Sequence, residues 1–170
     1  MLQDNFYEQN VERKAPPMDG LIRGILITMT AITFLAFALL VNLLLFLPFA
    51  AFAGLTWWYF RNSSLEFDYT MTNKDLDFAV VRGKSSRKGL LSVDVGSQLE
   101  VVAPSKSEPV QQWVGKRMKT IDCTSHTGAP YYCLIVRDDH ENETKVLFEP
   151  DEKLLDMLWR YQPRKVFKTV

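Results

Sequence analysis

The chain has 170 residues, of which 47% are hydrophobic, and its twenty basic and twenty acidic side chains give a formal net charge of zero. This balance excludes the strongly basic surface expected of a nucleic-acid-binding protein. The average hides a segregation, because residues 24–60 contain no Asp, Glu, Lys, Arg or His. The sequence therefore predicts an apolar segment followed by a water-soluble domain in residues 62–170, which is large enough for one hydrophobic core.

Residues 1–20 form an N-terminal segment that the sequence places in the cytoplasm. Phe6, Tyr7 and Val11 would share one face of a short helix that ends at the following Pro-Pro pair, and such a helix could lie on a membrane surface. A disordered tail fits the same residues equally well. Arg13 adds to the positive charge that keeps such a segment in the cytoplasm.

The uncharged run of residues 24–60 is too long for one membrane crossing and fits two. One helix of that length would measure about 55 Å, whereas the hydrocarbon core of a bilayer is about 30 Å thick. A cleaved signal peptide has a much shorter apolar region, of roughly 7–15 residues. We therefore expect a helical hairpin with spans near residues 21–41 and 45–61 and a turn between residues 41 and 48. Pro48 is expected in the first turn of the second helix, where a missing N–H costs nothing.

Aromatic and basic residues flank the two predicted spans. Trp57, Trp58 and Tyr59 are typical of a membrane–water interface, and Arg23 and Arg61 are typical of its cationic anchors. Because both ends of a hairpin lie on one side and positive residues remain in the cytoplasm, we expect both flanks to be cytoplasmic. The sequence therefore predicts a multi-pass protein of the plasma membrane whose N-terminus and C-terminal domain face the cytoplasm.

The water-soluble domain alternates between apolar and polar residues in several short runs, which is the pattern of half-buried strands. Turn residues such as Asn73-Lys74 separate the runs. The sequence predicts seven antiparallel strands, in residues 65–72, 75–80, 91–95, 99–102, 118–123, 131–137 and 144–148. We therefore expect an all-β domain, built as a barrel or a sandwich.

The pattern changes after Glu149, and residues 150–162 are predicted to form one closing helix. Pro150 suits the first helical position, and the two acidic residues that follow it favour a helix start. One apolar stripe runs along this helix and consists of Leu154, Leu155, Leu158 and Tyr161. We expect the helix to cover the apolar opening of the curved sheets.

Five short motifs are distributed along almost the whole chain. They are Tyr7-Glu8-Gln9 and residues 72–77, 90–94, 148–150 and 162–167. In these motifs the chain resembles an uncharacterised bacterial family of short two-span membrane proteins. The order of seven strands and one helix is similar to that of pleckstrin-homology-like (PH-like) domains. The resemblance implies a membrane hairpin joined to a cytoplasmic PH-like domain, and it implies no activity, because the motifs are structural.

Residues 82–89 contain four basic residues and no acidic residue. Arg82, Lys84, Arg87 and Lys88 are expected on an exposed loop between two strands. Anionic lipid at a cytoplasmic membrane surface attracts such residues by about 1 kcal/mol each. We therefore expect these side chains to contact lipid headgroups, and a solvated hairpin tip of the same composition is the alternative.

No arrangement of side chains in the sequence indicates catalysis. The Gly-Lys-Ser tripeptide at residues 83–85 lacks the upstream glycine of a phosphate-binding loop, because that position is Phe78. Cys123 and Cys133 lack the further ligands of a zinc site, so we expect free thiols or core residues in a reducing compartment. His126 is expected to be a solvated loop residue. The sequence therefore predicts no enzyme activity, no catalytic residue, no metal and no cofactor.

These features predict a membrane-anchored, non-enzymatic interaction or scaffolding module that binds other proteins or a second copy of itself. The alternative is an accessory subunit of a membrane transport or secretion assembly, in which the hairpin packs against other membrane helices. An enzyme is the third and least supported interpretation. Nothing in the residues identifies a partner, a ligand or a pathway.

Overall fold

A computed structural model describes residues 6–40, 42–138 and 140–168. These residues divide into two compact units. The β unit consists of residues 6–13, 66–81 and 87–168, and the hairpin unit consists of residues 14–65 and 82–86. The segment before the apolar run therefore belongs to the same unit as the C-terminal part of the chain.

The hairpin unit contains two long helices. Helix α1 is Asp19–Leu40 and helix α2 is Leu43–Ser63. Both are long and apolar enough to cross a membrane, and 0% of the most apolar window of each helix is buried. Residue 41, where we expected the first span to end and the turn to begin, lies outside the described residues. Asn42 caps α2, because its side chain accepts a hydrogen bond of 3.0 Å from the amide of Leu44.

Pro48 lies inside α2 and not in its first turn, so the expected position of this proline is wrong. The helix begins earlier, at Leu43, because the preceding asparagine satisfies one of its free amides. Proline has no N–H, so the carbonyl of Leu44 loses its usual donor four residues later. The helix continues through this position without a break.

Aromatic and hydroxyl contacts join α1 to α2. Four phenylalanine rings pack together with centroids 5.4 to 6.5 Å apart: Phe34, Phe37, Phe46 and Phe49. The hydroxyl oxygens of Thr30 and Thr56 lie 2.9 Å apart and share a hydrogen bond. A hydrogen bond of this kind contributes about 0.5–1.5 kcal/mol to stability.

Eight strands, counted over the described residues, lie almost entirely in the β unit. They are β1 Phe6–Glu12, β2 Leu65–Thr72, β3 Asp75–Arg82, β4 Ser86–Asp94, β5 Leu99–Pro104, β6 Lys119–Asp122, β7 Tyr132–Arg137 and β8 Glu143–Phe148. They form two sheets, with the orders β1-β2-β3-β4 and β5-β7-β8-β6. The predicted number of seven strands is therefore wrong by one, and the hydrogen bonds described join the strands into two separate sheets.

Strand β1 is the additional strand. It pairs with β2 in an antiparallel register that runs from Phe6 opposite Thr72 to Glu12 opposite Glu66. The sequence left this segment open between a short helix and a disordered tail, and the structure shows neither. A strand forms here because its backbone pairs with β2, whose edge would otherwise lack a partner.

Strand β6 also departs from the prediction, because it pairs with β8 in a parallel register, with Lys119 opposite Thr144. The sequence pattern predicts antiparallel pairing for all strands. A parallel pair needs a connection that crosses over, and here β7 lies between β6 and β8 in the chain. Because β7 is antiparallel to β8, the chain returns in the direction of β6.

Three aromatic rings form the centre of the β unit. Tyr69, Phe78 and Phe148 pack edge to face with centroids 5.5 to 5.8 Å apart. Each is at most 1% exposed. Aromatic pairs in this geometry contribute about 0.5–1.5 kcal/mol beyond the burial of their surface.

A short helix, α3 (Glu108–Gln111), follows β5, and helix α4 (Glu152–Tyr161) follows β8. In α4 the predicted stripe is buried at Leu154, Leu155 and Leu158, whereas Tyr161 is half-buried. Asp151 caps this helix by accepting a hydrogen bond of 2.8 Å from the amide of Leu154. Pro150 therefore precedes the cap residue. We expected it at the first helical position, and that prediction is wrong. Asp151 is the cap residue because its carboxylate accepts a hydrogen bond from a free amide of the first helical turn, and proline has no side-chain oxygen that could do so.

Candidate functional site

The open end of the hairpin unit, where α1 begins and α2 ends, carries a buried carboxylate. Asp19 is 6% exposed and lies 2.6 Å from Nε of Arg23. The hydroxyl of Tyr59 donates a second hydrogen bond of 2.8 Å to Asp19, and Arg23 donates one of 3.0 Å to the hydroxyl of Ser63. Since Arg23 comes from α1 and its hydroxyl partner from α2, this network fixes the two helices to each other.

The predicted interfacial anchors lie at this same end. Trp57 and Trp58 are 63% and 59% exposed, and Tyr59 is half-buried because it bonds to the buried carboxylate. The guanidinium of Arg61 lies 5.3 Å from the ring centroid of Trp57, and that of Arg23 lies over a neighbouring phenylalanine at 5.1 Å. All five predicted anchors therefore lie at the open end of the hairpin, and each of the two arginines lies over an aromatic ring.

The loop between β3 and β4 packs against the end of α2. The amide of Gly83 donates a hydrogen bond of 3.0 Å to the carbonyl of Ser64. Gly83 has a φ of 57°, and a Cβ at this position would lie 1.9 Å from the carbonyl oxygen of Arg61. Only glycine allows the backbone of the loop to come this close to the backbone of α2. Arg82 and Lys84, on either side of Gly83, are exposed and belong to the hairpin unit. Neither has an ion-pair partner among the described residues.

The other two basic residues of the predicted loop lie on β4, in the β unit. Arg87 contacts the carboxylates of Asp68 at 3.5 Å and Glu8 at 3.4 Å, and it donates a hydrogen bond of 3.0 Å to Thr70. Its charge is thus already compensated. Lys88 is exposed and has no such partner in the part of the chain that the structure describes. The four basic residues that the sequence grouped together therefore fall into two pairs with different surroundings.

The sequence was compared with models of known protein families. A family model described as a bacterial PH-like domain matches residues 3–168, which is nearly the whole chain. The chain belongs to this family of bacterial PH-like domains, DUF6106. The resemblance seen in the sequence motifs is thereby confirmed. No curated protein matches the chain significantly, and no solved structure does either.

The PH-like domain has a polar network that sequence reasoning missed, in the turn after β6. Asp122 accepts hydrogen bonds from the amide of Thr124 at 3.0 Å, from its hydroxyl at 2.8 Å and from Nε2 of His126 at 2.7 Å. Burial raises the pKa of Asp122, but the hydrogen bonds from His126 and Thr124 outweigh it and hold this pKa below its ordinary value. The predicted solvated histidine is therefore bonded to a carboxylate. Asp122 and His126 are four residues apart, but this spacing predicts a contact only within a helix, and these residues lie in a turn.

Arg13 connects the same turn to the N-terminal strand of the PH-like domain. Its guanidinium donates to the carbonyl of Asp122 at 3.0 Å and to that of Thr124 at 3.3 Å. It also lies 4.8 Å from the ring centroid of Phe67, which is a residue of β2. In the sequence Arg13 indicates only the orientation of the hairpin, whereas in the structure it holds β1 against the turn after β6.

The PH-like domain also buries Ser125 and two cysteines, Cys123 and Cys133. Ser125 donates its hydroxyl hydrogen bond to Glu149 at 2.9 Å, and its hydroxyl oxygen also lies 2.7 Å from that of Thr127. Burial raises the pKa of the Cys123 thiol to about 12 and also raises that of Cys133. Both cysteines are free and buried, as expected from the sequence. Within the described ranges, no group of three or more His, Cys, Asp or Glu side chains could hold a metal ion.

Proposed function

We propose that this PH-like protein is a membrane-anchored, non-enzymatic interaction module, held in the bilayer by α1 and α2. The exposed apolar surface of both helices supports the proposal, because water would solvate it at a cost of roughly 25 cal/mol for each Å². Lipid removes that cost. Each helix is 21 or 22 residues long, which matches the roughly 20 residues that one crossing requires.

The observation that carries the proposal is the pairing of β1 with β2. These strands flank the hairpin in sequence, yet Glu12 lies opposite Glu66 in one antiparallel ladder. A chain that leaves a sheet at one strand and returns to the adjacent strand must come back to the same side of any membrane it enters. The number of crossings is therefore even, and two helices satisfy this requirement.

The side on which the PH-like domain lies follows from the charges near the hairpin's open end. Arg23, Arg61, Arg82 and Lys84 all belong to the hairpin unit, and the residue that caps α2 at the opposite end, Asn42, is uncharged. Positive residues beside membrane spans remain on the cytoplasmic side. We therefore place the PH-like domain in the cytoplasm.

Contact with anionic lipid headgroups is the second part of the proposal, and it involves Arg82 and Lys84. Both are exposed, lack compensating carboxylates among the described residues, and lie in the unit that contains the helices. Each would contribute about 1 kcal/mol near an anionic surface. Arg87 contributes less because Asp68 and Glu8 already compensate its charge. Lys88 is not included, because it lies on β4 in the β unit and not in the unit that contains the helices.

The lipid contact can be tested by native mass spectrometry of the full chain in detergent with phosphatidylglycerol. We expect the double variant Arg82→Gln, Lys84→Gln to bind this lipid about thirtyfold more weakly, because two contacts of about 1 kcal/mol each are lost. The matched control neutralises two exposed cations of the PH-like domain, Lys106 and Arg164. Equal lipid binding by the double variant and the native chain would show that this loop does not contact headgroups.

A further inference from the structure

The second sheet carries an apolar cluster on the face that points away from the aromatic centre of the β unit. Four buried residues of β5 and β7 contribute to it: Val101, Ala103, Cys133 and Ile135. Cys133 lies opposite Leu147, which directly precedes Phe148 of the aromatic centre. Because successive side chains of a strand point to opposite faces, the cluster lies on the other side of the sheet, which we call the outer face.

Residues 105–118, which connect β5 to β6, cover the outer face, and we call this segment the strap. Its side chains Val110 and Trp113 belong to the cluster and are 1% and 9% exposed, and Met118 packs against the same cluster. More than half of the strap residues are exposed. Two buried apolar side chains therefore provide most of the contact between the strap and the sheet.

The backbone of the strap is almost independent of the sheet. Among the described residues, the backbone of residues 106–117 makes hydrogen bonds only within the strap and to Pro104, the last residue of β5. At the start of the strap, the amide of Ser105 donates a hydrogen bond of 3.1 Å to the carbonyl of Tyr131. Residues 106–117 could therefore lift from the outer face without breaking any pairing between strands.

Trp113 makes an incomplete contact in its buried position. Its indole Nε1 is buried and has no hydrogen-bond partner in the part of the chain that the structure describes. A buried donor without an acceptor costs free energy, and water would satisfy it. The amine of Lys116 lies 4.1 Å from the centroid of the Trp113 ring and 3.7 Å from the carboxylate of Glu143. Since the lysine side chain is 51% exposed, this ion pair adds little to the hold of the strap.

The strap is also longer than the path that it covers. Strands β5 and β6 are the two edges of a four-stranded sheet, so the strap crosses three strand spacings, about 14 Å. The strand registers place its two ends four residues apart along the strands, or about 13 Å. The ends are therefore about 20 Å apart, whereas fourteen extended residues reach about 46 Å. The strap has enough length to leave the sheet while β5 and β6 remain in place.

We propose that the strap has two states: the closed state of the structure, and an open state in which residues 106–117 lift and Trp113 leaves the outer face. Opening keeps the strand pairing, gives the indole N–H access to water and exposes the thiol of Cys133. The strap is a conformational device that covers and uncovers an apolar face of the PH-like domain. This inference goes beyond the proposed function, and its failure would leave the membrane anchoring intact, because the strap and the helices belong to different units.

The thiol of Cys133 reports on the strap, and that of Cys123 is the internal control. Both are free and buried, but Cys123 lies outside the cluster that the strap covers. The full chain in detergent is treated with N-ethylmaleimide, and mass spectrometry follows each site. We expect Cys133 to be labelled at least about tenfold faster than Cys123, because local opening is more frequent than global unfolding. Urea at about 1 M should hardly change the rate at Cys133 but should raise that at Cys123 severalfold, because strap opening exposes much less surface than unfolding.

The variant Trp113→Ala should raise the labelling rate of Cys133 about tenfold and leave that of Cys123 unchanged, because the strap loses its largest buried contact. The matched control Trp159→Ala removes an indole that is 45% exposed on α4 and should change neither rate. If Trp113→Ala unfolds the domain, both thiols are labelled together, and the urea series on the native chain decides. The proposal is overturned if the two native thiols are labelled at equal rates with equal urea dependence. It is also overturned if folded Trp113→Ala is labelled at Cys133 at the native rate.

Discussion

Asp122 holds the turn that follows β6, and its contribution to stability depends on its charge. The carboxylate accepts three hydrogen bonds from Thr124 and His126 and lies 3.3 Å from Arg13. Because its pKa is lowered in the folded chain, its contribution is complete above the ordinary pKa of 3.8 and is lost as the pH falls below that value. Protonation removes the negative charge that these donors face.

The variant Asp122→Asn should therefore be less stable than the native chain at pH 7, by about 1 kcal/mol, since the group is partly exposed. The difference should shrink at pH 3, where the native carboxylate is also becoming protonated. Thermal unfolding of the full chain in detergent at both pH values measures this. The control Asp75→Asn changes an exposed carboxylate with no compensating partner and should leave both transitions unchanged. Identical transitions for Asp122→Asn and the native chain at pH 7 would contradict this role.

The β3–β4 loop is the element whose geometry depends most on a single residue. Alanine at Gly83 would have to adopt a φ of 57° with its Cβ 1.9 Å from the carbonyl oxygen of Arg61, so the loop must move away from α2. Backbone strain alone would cost about 1–3 kcal/mol. We expect Gly83→Ala to release the loop and to raise the rate of trypsin cleavage after Arg82 and Lys84 about tenfold.

Gly89 provides the matched control for this experiment. It also follows a trypsin site, Lys88, but a Cβ at Gly89 would meet nothing within 4 Å. Gly89→Ala should therefore be cleaved at the native rate in limited proteolysis of the full chain. Cleavage of Gly83→Ala at the same rate as Gly89→Ala would show that the loop is not held against α2.

Two elements show where sequence patterns reach their limit. In β1, Gln9 occupies the position between Tyr7 and Val11 on the inward face, where an apolar residue would have completed the alternation. Its side chain instead donates to the carbonyl of Glu149 and accepts from the amide of Asp151, and no local pattern contains those partners. The partner strand of β1 also lies more than fifty residues away in the chain.

Strand β4 is longer than its sequence pattern predicts, because its first residues are polar. Basic residues at its start resemble a solvated loop, so the predicted strand begins at residue 91, whereas the observed strand begins at Ser86. Edge strands commonly carry such charges, which prevent pairing with other chains. Arg87 is therefore a strand residue whose charge is compensated across the sheet. By contrast, the hairpin helices and the buried stripe of α4 were predictable, because uninterrupted apolarity and a helical period are local signals.

At the scale of the whole molecule, the hairpin is an insertion between two adjacent strands of one sheet. The sequence placed the hairpin before the domain, since nothing local reveals that residues 6–12 return to pair with β2. This connectivity requires both flanks of the hairpin to lie on one side of a membrane. The claim that we propose is therefore that α1 and α2 cross the bilayer as a pair and that both flanks are cytoplasmic.

Labelling of single introduced cysteines by a membrane-impermeant maleimide in intact bacterial cells tests this claim most directly. The native thiols give little background, because both are buried and their pKa values are raised. We expect Asn42→Cys, at the hairpin turn, to be labelled in intact cells, whereas Glu12→Cys and Lys106→Cys are labelled only after the cells are opened. Labelling of Glu12→Cys or Lys106→Cys in intact cells, or recovery of the full chain in the soluble fraction, would contradict the account.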